Sequence, residues 1–86
     1  MNDAESEVNG YGQLVRAKIV NSGVSLSERE RLIVLLMARE LSDKAIARQM
    51  SIAPETVSSH AKRIFLKLSV QTRAQAVLRA TILGLI

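Results

Sequence analysis

The stretch PETVSSHAKRIFLKL, residues 54 to 68, carries its apolar positions in helical register. Laid at about 100° per residue, Val57, Ala61, Ile64 and Leu68 fall on one seam. The opposite side holds Glu55, Ser58, Ser59 and Lys62, together with Leu66, and one flank stacks Thr56, His60, Arg63 and Lys67. All four flank residues can donate hydrogen bonds, His60 provided that it presents an N–H. A second periodic stretch predicts a helix over 28–40, opened by a capping box in which Ser27 covers the Glu30 amide and Glu30 reaches back. Ser42 is an N-cap for a shorter helix over 43–50. Pro54 suits a first helical turn, where its missing N–H is not needed. Ala53 before it is a poor cap, about 1 kcal/mol worse than serine. Thr72 and Gln75 form a second capping-box pair and open a last helix over 73–83, closed by Gly84. Upstream, YGQLVRAKIV at 11–20 reads as a short amphipathic helix stopped by NSG at 21–23, and the polar residues 1–10 are expected to be loosely tethered. Strand-like alternation and internal repeats are absent from the sequence, so the expected architecture is all-α with short connections.

Composition narrows this. Eighty-six residues make one domain, near the size at which a single core is only marginally stable. With 48% hydrophobic and 23% charged residues the chain is globular in type. Tyr11 and Phe65 are the only aromatics, so the core must be aliphatic and alanine-rich. The lack of cysteine excludes disulfides, thiolate metal sites and cysteine nucleophiles, while leaving the redox compartment open. The longest apolar run, LIVLLMA at 32–38, is too short for a bilayer, and no secretory signal opens the chain. A cytoplasmic protein without membrane association is expected. Charge is unevenly spread: Asp3, Glu5 and Glu7 give the first seven residues −3, while the remainder sets twelve bases against five acids. A basic body with an acidic tip suits a polyanionic partner, although mild basicity alone also serves solubility.

The helices over 43–50 and 54–68, joined by MSIA at 50–53, form the informative pair. A helix, a turn of about four residues and a second helix with a polar outer face is the helix-turn-helix pattern. Ala45, Ala47 and Ala61 would let the two helices cross closely. A plain αα-hairpin explains the seam equally well, but does not require the outer face to be short and polar.

From 26 to 77 the chain reads LSERERLIVLLMARELSDKAIARQMSIAPETVSSHAKRIFLKLSVQTRAQAV. It follows the pattern LSxKxIAxxxxIxxxTVxxHxxxIxxKLxVxxRxQAV and resembles the DNA-binding domain of the LuxR/FixJ/NarL (GerE-type) regulators. Including the GLI tail, the likeness covers about 61 of the 86 residues without a gap. It implies a tetrahelical domain over 26–86, with 1–25 as an N-terminal extension. Three departures bear on stability. Glu40 and Ser69 stand where the family usually has glycine, at positions that often need a left-handed backbone. Ala53 replaces the usual serine cap.

The resemblance also implies roles. The helix over 54–68 would enter the major groove of double-stranded DNA, with Ser58, Ser59 and Lys62 facing base edges. Thr56, His60 and Lys67 would hold the sugar-phosphate backbone, a division the helical wheel reaches independently. Short serines permit close approach, and Lys62 can reach a guanine O6/N7 edge. Arg63 divides between phosphate contact and ordinary solvated charge, as does Arg48. Lys44 and the free amides at its helix N-terminus would add phosphate contacts. The bland readings are that His60 is a partly buried helix residue without a ligand and that the serines merely solvate a face. A metal at His60 is disfavoured, since the chain has no second histidine and no cysteine. Ser58, Ser59 and His60 are no hydrolase triad, because a serine two positions before a histidine points elsewhere on a helix. No cofactor is expected, and an enzyme is the most distant class, for want of a carboxylate pair, metal cluster or phosphate loop.

In the last helix, Ala76, Val77 and Ala80 would face the core, while Ala74, Leu78, Ile82 and Leu85, with Thr81 beside them, form a second line. So small a domain cannot easily bury both, and the second line is a candidate isologous homodimer seam. The family resemblance implies dimerisation through this helix. Leu85 and Ile86 folding back on the core is the alternative. Leu32 and Leu35 make a further stripe at positions usually polar in such domains. The segment 11–20 is expected to dock there, unless a second chain or a missing domain covers it. The sequence-level conclusion is a DNA-binding transcription regulator or its isolated output domain. The rival is a helix-turn-helix interaction module that titrates a full-length regulator or contacts RNA polymerase.

Overall fold

A computed structural model describes residues 23–86, which form four helices and no strand among the described residues: α1 (Glu28–Ala38), α2 (Asp43–Met50), α3 (Pro54–Leu68) and α4 (Arg73–Ile82). The short amphipathic helix expected over 11–20 lies outside the described residues. Each start follows local chemistry. Ser27 Oγ accepts from the Glu30 amide at 3.1 Å, and Glu30 Oε1 accepts from the Ser27 amide at 2.9 Å, so the first capping box is complete. Ser42 Oγ caps α2 through the Ala45 amide, and Ala53 gives α3 no side-chain cap, leaving Pro54 to open it. The second box is half made. Thr72 Oγ1 accepts from the Gln75 amide, but Gln75 Oε1 takes the amide of Gln71. Thr72 has φ −134°, against −65° at Ser27, which turns its own N–H away from the side chain three residues on.

Each helix ends in one way. Glu40, Ser51, Ser69 and Gly84 take left-handed backbone with φ of 63°, 58°, 57° and 74°. The following amide then bonds to a carbonyl five residues back: Leu41 to Leu36, Ile52 to Ala47, Val70 to Phe65 and Leu85 to Ala80. This is the Schellman closure, in which an apolar residue after the turn packs on the core, as all four of these do. The two family-glycine positions are therefore left-handed here without glycine, and Ser51 adds a third that sequence reading did not anticipate. Two helices are also shorter than expected. α1 stops at Ala38 rather than 40, because the left-handed Glu40 must lie outside the helix, and α4 stops at Ile82 rather than 83, with Leu83 as its C-cap.

The core is aliphatic. Ile33, Val34, Ile46, Val57, Ile64 and Leu68 are its largest fully enclosed side chains, each worth roughly 1.5–3 kcal/mol of burial. Ala47, Ala76 and Ala80 are buried where helices meet closely, and Val77 is half-buried beside them. α1 packs mainly on α4, and α2 on α3, so the helix-turn-helix pair is presented as a unit by the other two helices. Leu32 is 41% exposed and Leu35 half-buried. None of the described helices is long and apolar enough to cross a membrane.

Candidate nucleic-acid interface

α3 buries Val57, Ala61, Ile64 and Leu68, the seam expected from periodicity, and this fixes its rotation. Ser58, Ser59, Lys62, Thr56 and Arg63 are consequently exposed, as is Lys44 in the first turn of α2. No ion pair among the described residues engages Lys44, Lys62 or Arg63. Leu66, also on the outer side, is 81% exposed. The structure thus brings the three residues expected to face base edges together on one surface, with Thr56 and Arg63 beside them.

His60 is half-buried, and its Nδ1 is enclosed without a hydrogen-bond partner. A neutral ring with its proton on Nε2 leaves no enclosed N–H without a partner. That leaves Nε2 as the donor His60 can offer outward.

Lys67 differs from the other cations. Its Nζ donates to Glu30 Oε1 at 2.8 Å, the same oxygen that accepts the Ser27 amide. The Glu30 side chain is 3% exposed and that of Lys67 39%. Burial pushes the Glu30 carboxyl up. The Lys67 hydrogen bond, the Ser27 amide, the Lys67 charge and the Ser27 hydroxyl together outweigh it, holding the carboxyl below its ordinary value. Lys67 thus joins the C-terminal turn of α3 to the first turn of α1, and keeps two of its three donors for another partner.

Sequence reasoning missed Arg73. Its guanidinium donates to the Leu41 carbonyl at 2.6 Å and to Asp43 Oδ1 at 2.8 Å, tying the start of α4 to the start of α2. Asp43 Oδ2 in turn accepts from Ser58 Oγ at 3.3 Å. The signal available was the arginine in the RxQAV motif, which periodicity alone left without a role.

On α4, Leu78 is 62% and Ile82 64% exposed, with Ala74 and Thr81 also outside. Thr81 Oγ1 donates to the Val77 carbonyl, so its polar hydrogen is satisfied within the helix. Leu85 is half-buried and packs against the core with Ile86, so the second line is exposed up to Ile82 and folds back at its end.

The profile of the family described as bacterial regulatory proteins, luxR family, matches residues 24–80. The chain is 38% identical over 77 residues to a protein named probable transcriptional regulatory protein NarL of Mycobacterium tuberculosis, spanning 90% of this chain and 36% of that one. It is 46% identical over 55 residues to the response regulator protein VraR of Staphylococcus aureus, covering 64% of this chain and 26% of that protein. The chain therefore spans about a third or less of the length of these relatives. Among solved structures, one titled as the transcription factor GerE superposes with a TM-score of 0.66 at 41% identity, over 69% of this chain and 88% of that one. The response regulator ChrA of a heme-sensing two-component system gives 0.71 at 28% identity, over 86% of this chain and 37% of that one.

Proposed function

The chain belongs to the luxR family of bacterial regulatory proteins and carries its helix-turn-helix DNA-binding domain, and from that membership we propose that α3 docks in the major groove of duplex DNA. Ser58, Ser59 and Lys62 face base edges in this reading, the serines allowing close approach and Lys62 donating to guanine O6/N7. Thr56, His60 through Nε2, Arg63 and Lys44 lie along the phosphate rows and set register. Lys67 adds a backbone contact with the donors that Glu30 leaves to it. The observation that carries the reading is the rotation of α3: a fully buried aliphatic back sets short polar side chains and a lysine outward on one exposed surface.

Two copies pair through the exposed line of α4, with Ala74, Leu78, Thr81 and Ile82 central and Leu85 at its edge. Such a homodimer would read two half-sites about one duplex turn apart. The domain works as a transcription regulator in the cytoplasm, with RNA polymerase a further contact of the assembled complex.

Amide shifts near Ser59 and Lys62 on adding duplex at low ionic strength test the docking; a spectrum that does not change would sink it. Lys62→Ala is expected to relax preference at one or two base pairs in duplexes selected from a random pool. A second reading is favoured by the exposure of Leu78 and Ile82. In it the domain pairs with a full-length regulator and titrates it, and its binding would survive salt that abolishes duplex binding.

A further inference from the structure

Asp43 stands at the first position of α2, and its carboxylate reaches toward the exposed side of α3. Arg73 holds Oδ1 at 2.8 Å through Nη2, while Nη1 of the same guanidinium donates to the Leu41 carbonyl at 2.6 Å. Two donors of one planar fork on two acceptors fix the carboxylate. The free oxygen, Oδ2, lies 3.3 Å from Ser58 Oγ. A carboxylate only accepts, so the serine proton lies on that line. The separation is long for a hydroxyl–carboxylate bond, but the carboxylate charge behind Oδ2 still draws the serine proton toward it. Ser58 and Lys62 border the same hollow as Asp43 and Arg73.

We propose that Asp43 positions Ser58 as a hydrogen-bond acceptor, so that Ser58 reads the exocyclic amine of an adenine or cytosine on the major-groove edge. This deepens the groove-docking reading and rests on it. A serine hydroxyl ordinarily suits either polarity. With its proton committed to Asp43, Ser58 Oγ turns only lone pairs to the groove. Adenine N6 and cytosine N4 donate there, whereas guanine O6 and N7 and thymine O4 accept. Facing one of those acceptors, Ser58 must give up its bond to Asp43 or leave two lone pairs opposed. The Asp43 charge beside it acts in the same sense. Lys62, a donor only, has the reverse preference one helical turn along. No hydrogen bond among the described residues commits the Ser59 hydroxyl, which keeps both polarities. The reading face therefore carries an acceptor at 58 and a donor at 62.

The experiment uses the full chain and a duplex selected from a random pool. Ser58→Ala, by relaxing one position, locates the base pair that Ser58 faces. At that pair, purine replaces adenine, or 2-pyrimidinone replaces cytosine, which removes the amine alone. The parent is expected to lose about tenfold in affinity, and Ser58→Ala to lose no more on the modified duplex than on the original. Asp43→Asn frees the serine to turn toward the neighbouring acceptor, so the cost of deleting the amine shrinks. The proposal is overturned if the parent tolerates amine deletion or if Ser58→Ala suffers equally from it. A motif that Ser58→Ala leaves unchanged, or an undiminished amine dependence in a folded Asp43→Asn, overturns it too. Amine deletion in the parent needs no Asp43 variant to fold. If no duplex is enriched by the parent at all, groove docking fails first, and this inference with it.

Discussion

α3 and α4 each bury a narrow seam and turn the other side to water, yet their exposed sides differ in kind, Leu66 on α3 and Arg79 on α4 apart. Outside α3 lie Ser58, Ser59, Lys62 and Arg63; outside α4 lie Ala74, Leu78 and Ile82. Folding dictates only the buried sides, Val57, Ala61, Ile64 and Leu68 in one helix and Ala76 and Ala80 in the other. What each helix shows outward is free of that constraint and therefore reports on its partner. Polar groups and charge are solvated at no loss and can meet a polyanion, while exposed leucine and isoleucine gain only when something apolar covers them.

Ionic strength separates the two faces most widely. If about four phosphates are neutralised per domain, duplex affinity should fall about a hundredfold between about 50 and 200 mM salt. The sedimentation mass of the protein alone should hold over that range, because burial of Leu78 and Ile82 is not screened. Duplex affinity that ignores salt while the assembly dissociates would invert the comparison. Next in size is Leu78→Asp combined with Ile82→Asp. Charges on an already exposed line leave the domain folded, and sedimentation should show a monomer. Affinity for a two-half-site duplex should then drop about tenfold to a hundredfold through lost avidity. An unchanged mass would remove α4 as the pairing surface.

Lys67 marks where the polar face of α3 ends. It shares a flank with Thr56, His60 and Arg63, so periodicity assigned it to DNA, yet its ammonium serves a buried glutamate 37 residues away in sequence. Lys67→Ala should therefore lower stability by about 1–2 kcal/mol, since Glu30 keeps the Ser27 amide but loses its cation. Loss of duplex affinity alone, with the melting temperature unmoved, would leave Lys67 its phosphate contact and remove its structural role. The same pair gives a pH dependence. A carboxyl held below its ordinary value in the folded state contributes stability above the unfolded glutamate pKa of about 4.3. That contribution disappears as pH falls through the folded-state value. Acid melting should accordingly be blunted in Glu30→Gln, measured relative to its own neutral-pH stability.

Lys67 also shows what was legible in the sequence. The capping pair Ser27 and Glu30, the Pro54 start and the seam of α3 were readable because each depends on one residue or on residues three or four apart. Contacts that depend on how helices cross were not. Arg73 reaches Leu41 and Asp43 across 32 and 30 positions, and a periodic pattern fixes the phase of a helix without naming what lies opposite. The left-handed turns fall between these cases. Glu40 and Ser69 were anticipated from the family's glycines, whereas Ser51 carried no local signal, because serine there is also an ordinary turn residue.

Those turns give the smallest and most selective check on the independence of the two faces. Ser69 holds φ 57° with a Cβ that glycine would not have. Ser69→Gly should relieve that strain and gain about 0.5–1 kcal/mol, less whatever entropy glycine returns to the unfolded chain. The Schellman bond from Val70 to Phe65 needs only the backbone and survives the change. Because Ser69 follows α3 and lies ten residues from Ser59, a firmer helix end should raise the melting temperature and leave duplex affinity where it was. If affinity rises with stability, the end of α3 frays in the free protein and docking must order it. The reading face would then be coupled to the α3–α4 turn, and the two exposed sides could no longer be treated as separate surfaces.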